Sequence, residues 1–202
     1  GAQIAGIQSN HIISTVKHYA VNDQETDRDT GNSIIDQGAA RTSDLLAFQI
    51  AIEKGDPGSV MCAYNRVNGI HACEHPWLLT DVLRRDWGYK GYVMSDWGAT
   101  HSTAPAANAG LDQDSGFPFD KEPYFGAPLK AAVAKGEVSA ARLDAMAGAI
   151  LHAMFANGLF ERPIAEAPMD LAPAMLATHA EATRRDAEGG AVLLKNRGAI
   201  LP

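Results

Sequence analysis

Among 202 residues, no apolar run approaches the roughly 20 that a membrane-spanning helix needs. Basic residues are few: 17 Lys+Arg against 24 Asp+Glu give a net charge of −7. No cationic cluster is denser than Arg84-Arg85 or Arg184-Arg185. Neutralising phosphates requires clustered cations, so neither nucleic acid nor a membrane is an expected partner. No Gly-x-Gly-x-x-Gly follows an apolar run, which removes support for a dinucleotide site. The seven histidines include no His-Glu-x-x-His and no paired ligand spacing, so no metal is expected, nor any other cofactor. Internal repeats, low-complexity tracts and a secretory-type leader are all missing. The chain opens Gly-Ala-Gln without Met, and its natural beginning is expected upstream.

Cysteine is scarce too. Cys62 and Cys73 flank Tyr64-Asn65-Arg66-Val67-Asn68-Gly69, and the Asn-Gly pair reads as a turn. A strand and a turn between two cysteines can bring their Cβ atoms within bonding range. A disulfide there would imply an oxidising compartment; one buried and one loop thiol is the other reading.

What is present is ordinary for a globular protein: 46% apolar and 20% charged residues, enough for a sizeable core. Four short apolar or β-branched runs read as strands: Ile12–Val16, Ser59–Tyr64, Gly91–Ser95 and Ala107–Asp112. Helical patterns lie between and after them, over Ala39–Lys54, Pro76–Trp87, Pro128–Lys135 and a long stretch capped by Ser139. The last carries Leu143, Met146, Ile150 and Met154 at spacings of three and four. Asp112 to Pro128 is loop-like, and Glu161 to Pro173 reads as a linker. A final helix over His179–Glu188 and a short strand over Ala191–Leu194 complete the expected order. Strands alternating with helices of about this length indicate βα units and a parallel sheet.

Polar residues gather where these strands end. Lys17 and His18 close the first, Met61 and Tyr64 surround the end of the second, and Asp96 and Trp97 close the third. In parallel α/β architectures that edge is where ligands bind. Taken singly, a Lys-His pair is more often surface, an Asp after a strand is often a helix cap, and a Trp is usually core. Together, charged groups and an aromatic suit a carbohydrate: hydroxyls both donate and accept, and apolar sugar faces stack on rings. An Asp at a sharp strand end can attack an anomeric carbon.

Lys17-His18-Tyr19 with Asn22-Asp23-Gln24-Glu25-Thr26-Asp27-Arg28 resembles glycoside hydrolase family 3 of the β-glucosidase type. So do Met61 to Gly69, Trp77 to Arg84, Gly91-Tyr92-Val93-Met94-Ser95-Asp96-Trp97, Asn108 to Asp112 and Ala191 to Asn196. The resemblance covers nearly the whole chain, and these motifs in this order are highly specific. It implies a (β/α)8 TIM-barrel-like fold, of which about the last four βα units are present. It implies that residues 1–160 are the C-terminal half of a barrel domain. Residues 161–202 would be a linker, a helix and the lead-in to a second α/β domain. Asp96 matches the catalytic nucleophile, Lys17, His18 and Arg28 match sugar-hydroxyl ligands, Met61 and Tyr64 line the sugar subsite, and Trp97 is its aromatic wall. Some members bridge the positions of Cys62 and Cys73, which favours the disulfide.

The implied function is a retaining, exo-acting β-glucosidase, periplasmic or secreted, whose substrate is a β-glucoside or oligosaccharide. A β-xylosidase or other exo-glycosidase of the family is the alternative. An N-acetylglucosaminidase is disfavoured, because that branch's Asp-His pair is missing from Asn22 to Thr30. Two readings from other classes are a Schiff-base Lys17 in an aldolase-like barrel and a non-catalytic sugar-binding module. Two departures accompany the resemblance. No segment matches the Asp and Arg that early barrel strands carry. None of Glu25, Glu53, Glu74 and Glu122 sits in an acid/base motif, so the acid/base is expected from the second domain. The remaining barrel half and that domain are the expected intramolecular partners, and this chain alone is expected to be inactive.

Overall fold

The computed structural model describes residues 1–116, 121–162 and 171–198, in two compact units, 1–163 and 164–202. The first unit is built on a parallel sheet of β1 (Thr15–Tyr19), β3 (Ser59–Cys62) and β6 (Tyr92–Ser95), in the spatial order β1-β3-β6. Val60, Cys62, Val93 and Ser95 are buried, as expected for strands covered on both faces. A smaller sheet joins β2 (Asn32–Ser33), β4 (Arg66–Val67) and β5 (Ile70–His71). β4 and β5 are antiparallel across Asn68-Gly69, both at positive φ, the two-residue hairpin for which Asn-Gly is suited. Cys62 and Cys73 are disulfide-bonded, with Cα atoms 5.2 Å apart.

Between the strands pack α2 (Gln37–Thr42), α3 (Asp44–Gly55), a wide-turned π-helical segment over Trp77–Asp86, and α4 (Ala104–Ala109). Leu45, Leu78, Leu79, Val82 and Leu83 bury their side chains against the sheet with Tyr19, whose hydroxyl donates to the Leu78 carbonyl at 3.0 Å. The aromatic edge contacts of Tyr19 with Phe48 and Trp87 close this core. α5 (Ala127–Ala134) and α6 (Ala140–Ala156) follow, and α1 (Ala2–Gln8) precedes the sheet. Ser139 caps α6 as expected, accepting from the Arg142 amide. Of the apolar stripe on α6, Met146 is buried, whereas Leu143 stays exposed.

Several elements differ from the sequence expectation. The first strand lies three residues later than Ile12–Val16, because ladder bonding begins where the Ser59 amide meets the Ser14 carbonyl. Lys17 and His18 therefore lie inside β1 rather than beyond it, in a stretch where the register slips between Val16 and Tyr19. The Lys17–His18 and Tyr19–Ala20 peptide bonds are cis. The single helix over Ala39–Lys54 starts earlier, capped by Asp36, and breaks at Ser43. There the Thr42 and Ser43 hydroxyls bond backward to the Gly38 and Ala39 carbonyls, competing with the helical ladder.

Ala107–Asp112 is not a strand. α4 occupies its first part, Gly110 turns the chain at φ 124°, and only Leu111 to Gln113 runs beside β6. Pro105 in the first turn and an alanine-rich run favour the helix. In the second unit, α7 spans Pro173–Gly190, longer than His179–Glu188. Ala191–Leu194 forms no strand: Leu194 is 91% exposed, with no ladder partner among the described residues. Most of the linker expected over Glu161 to Pro173 lies outside the described residues.

Candidate active site

Asp96 is the first residue past β6, and its backbone is fixed on both sides. Its amide donates to the Cys62 carbonyl at 3.3 Å, and its carbonyl accepts from the Ala99 amide at 3.1 Å. Behind it, Asp112 anchors the strand. The Asp112 side chain is fully buried, accepts from the Val93 amide at 2.8 Å and pairs with the Arg84 and Arg142 guanidinia. Two cations and an amide offset part of the cost of burying that carboxylate, and burial still holds its pKa above the ordinary value. Ser95, also buried, accepts from the Ser115 amide at 2.8 Å.

The Asp96 carboxylate faces its neighbours with both oxygens. Oδ1 accepts from the Trp97 amide at 2.8 Å, and Oδ2 lies 3.2 Å from His18 Nε2. Burial and the charge of Lys17 hold the His18 imidazole below its ordinary pKa, against the pull of Asp96. The ring is therefore neutral at pH 7, and its Nε2–H donates to the carboxylate. Tyr64, just past β3, also interacts with the Asp96 side chain. Burial, reinforced by the Asp96 charge, pushes its hydroxyl up to about 12, so it too remains a donor.

Arg28 stacks on Tyr64, its Cζ 4.6 Å from the ring centroid. Its guanidinium also reaches Glu25 at 3.2 Å and Asp29 at 3.8 Å. Lys17 is exposed and acts electrostatically on His18. Met61 is half-buried on β3, paired with Met94 two residues before Asp96. Trp97 stands 62% exposed beside the carboxylate. The structure thus gathers Asp96, His18, Tyr64 and Arg28 at the sheet edge, with Lys17 and Trp97 bordering them and Met61 on the adjoining strand.

Of the four glutamates raised by the sequence, Glu25 adjoins this cluster through Arg28 and the other three lie apart from it. Glu25 pairs with Arg28, Glu53 accepts from Gln49, Glu74 accepts from the His101 amide, and Glu122 is exposed. Among the described residues no cluster of His, Cys, Asp and Glu is arranged to hold a metal. Sequence reasoning did not find the Asp112 anchor or the stack of His71 on His101, whose ring centroids are 3.7 Å apart. For the latter the only signal was a histidine at the end of the Asn-Gly hairpin.

Residues 1–153 match the glycosyl hydrolase family 3 N terminal domain. Over 201 residues the chain is 41% identical to a probable beta-glucosidase K of Aspergillus fumigatus, covering all of this chain and 25% of that protein. It is 37% identical to an exo-alpha-(1->6)-L-arabinopyranosidase of Bifidobacterium longum, covering 98% of this chain and 25% of that one. Among solved structures it superposes on DesR, a beta-glucosidase from Streptomyces venezuelae in complex with D-glucose. That match has a TM-score of 0.86 and 40% identity, and covers 100% of this chain and 26% of the other. The chain spans about a quarter of the length of these relatives. The parallel sheet and its helices are part of a TIM-barrel-like fold, which puts the Asp96 edge at the face where such barrels carry their chemistry.

Proposed function

Because the chain belongs to glycosyl hydrolase family 3, we propose that the protein is a retaining, exo-acting β-glucosidase with Asp96 as its nucleophile. The observation that carries this is the Asp96 carboxylate at a parallel-strand end, held by His18 Nε2 at 3.2 Å with the Tyr64 hydroxyl interacting alongside, rather than by a cation. Such donors orient the oxygen without removing its nucleophilicity. Asp96 attacks the anomeric carbon of a terminal β-D-glucosyl residue, forming a carboxylate–C1 bond as the bond from C1 to the aglycone oxygen breaks. The leaving oxygen takes a proton from a general acid. Water then attacks C1, gives its proton to the same group, now a base, and releases Asp96.

Lys17, His18 and Arg28 bind sugar hydroxyls, Met61 and Tyr64 line the sugar subsite, and Trp97 stacks on the substrate. The acid/base comes from a domain beyond residues 161–202, which lead into it from a half-barrel over residues 1–160. The disulfide fits a periplasmic or secreted protein. The arabinopyranosidase relative favours a second reading in which the same machinery accepts a pentopyranoside, so substrate choice is tested directly.

The test is trapping. The full-length protein carrying this segment is treated with a 2-fluoro-2-deoxy-β-glucoside bearing a dinitrophenyl leaving group. The expected adduct is one fluoroglucosyl mass on the peptide containing Asp96. Label on another carboxylate, or none while turnover proceeds, overturns the assignment. Rates on aryl β-glucoside, β-xyloside and α-L-arabinopyranoside decide between the two substrates.

A further inference from the structure

The hairpin between the two cysteines does more than carry Tyr64. His71, at the end of β5, has Nδ1 3.3 Å from the Tyr64 carbonyl oxygen. A carbonyl only accepts, so Nδ1 carries the proton and the imidazole holds Tyr64 by its main chain. The same ring stacks on His101 at an interplanar angle of 30°. His101 belongs to the segment that leaves Asp96 and Trp97, and its amide donates to Glu74 Oε1 at 3.1 Å. Glu74 adjoins Cys73, which is bonded to Cys62, and the Cys62 carbonyl accepts from the Asp96 amide. The contacts close a ring from Asp96 through Cys62, Cys73, Glu74 and His101 back to Asp96, and His71 ties that ring to Tyr64.

We propose that His71 is a positioning residue for the reaction: it locks the Tyr64 main chain to the loop that follows the nucleophile, keeping the Tyr64 hydroxyl on the Asp96 carboxylate. This rests on the glycosidase reading and goes beyond it, since His71 acts through the Tyr64 main chain. Burial, His101 and Arg66 lower the His71 pKa against the Tyr64 carbonyl and Glu74. A neutral ring lets the two imidazoles stack without charge repulsion.

The experiment uses the full-length enzyme and an aryl β-glucoside, with His71→Phe, His71→Asn, His101→Ala and Tyr64→Phe. Phe keeps a ring for the stack and loses the donor; Asn keeps a donor near the Nδ1 position. His71→Phe is expected to lower kcat about tenfold with KM within about twofold, the scale of a small misplacement of a reacting group. His71→Asn recovers most of that loss. In a Tyr64→Phe background, His71→Phe and His101→Ala each add less than about twofold, because the hydroxyl they position is gone.

Full losses in both backgrounds, or a His71→Phe enzyme as fast as wild type, overturn the proposal. So does a lowered melting temperature with kcat retained, which would mark His71 as structural only. If His71→Phe does not fold, His101→Ala and His71→Asn carry the same comparison. A wild type that neither turns over nor labels at Asp96 overturns the glycosidase reading and this inference together. An active wild type with additive losses overturns the inference alone.

Discussion

Two loops meet at the same sheet edge and are held in different ways. The Cys62–Glu74 loop is tied by a disulfide, an Asn-Gly hairpin, a buried Asn65 that donates to the Val21 carbonyl at 2.9 Å, and the His71–His101 stack. The Asn22–Thr30 loop is mostly exposed, and its hydrogen bonds are mostly short in sequence, such as Thr30 to Asp27 and Arg28 to Glu25, with Asp23 interacting with Asp44 of α3. Its link to the Asp96 cluster is the Arg28 guanidinium on the Tyr64 ring. The difference separates two tasks on the proposed reading: the first loop fixes the Asp96 carboxylate, and the second presents Arg28 as a ligand for the sugar.

The largest effect expected is on the fixed side. Asp96→Asn in the full-length enzyme keeps the Trp97 turn but removes the proposed nucleophile. Aryl β-glucoside turnover should fall by about three or more powers of ten. Near-normal kcat would dissolve the distinction between the loops. Next comes the anchor behind Asp96. Asp112→Ala removes the carboxylate shared by the half-buried Arg84 and Arg142 guanidinia and should cost about 3 kcal/mol of folding stability, read as a shift in the urea midpoint. An unchanged midpoint would show that β6 is held by its strand neighbours alone.

The disulfide is smaller. Its loop of about 12 residues should contribute roughly 2.8 kcal/mol by limiting the unfolded chain, measured with Cys62→Ala/Cys73→Ala against the parent under non-reducing conditions. Arg28→Ala tests the open side. It should lower kcat/KM by about 10- to 150-fold, the equivalent of about 1.5–3 kcal/mol, with the melting temperature nearly unchanged. A large loss of stability in Arg28→Ala would mean that the open loop is structural after all.

The smallest effect is shared. Burial, the leading cause in each case, lowers the pKa of His18, His71 and His75 below 6.5. Folding favours their neutral forms, so the unfolded chain binds more protons just below that value. Their contribution is complete above pH 6.5 and is lost as the pH falls through the lowered native values. Imidazole NMR titrations giving native midpoints above 6.5 would reverse the sign.

Much of the edge was legible in the sequence because strand ends carry their own punctuation. Ser95-Asp96-Trp97 follows a buried run, Tyr64 follows another, and Asn68-Gly69 read as a turn, whereas the cysteine pairing stayed open on the residues alone and was favoured by the family resemblance. What escaped depended on partners distant in sequence. The start of β1 is set by where Ser59 finds Ser14, not by the β-branched Ile12 and Ile13, and Ile12 is 57% exposed. The run at Ala107–Asp112 is equally apolar as helix or strand, and Gly110 divided it. Ala191–Leu194 has strand composition, but a strand also needs a neighbour. The His71 stack could not be read at all, because two histidines 30 residues apart meet only after the hairpin and the nucleophile loop have folded.

The local bonding of Asn22–Thr30 has an evolutionary consequence. A segment whose hydrogen bonds stay within a few residues can change composition or length with little penalty to folding. The strand ends bearing Asp96 and Tyr64 have no such freedom, since each is wired into the core. If the proposed roles hold, selection for a different sugar acts on the Arg28 loop while Asp96 and Tyr64 stay fixed. Divergence in specificity should accumulate there first, leaving the reaction itself unaltered.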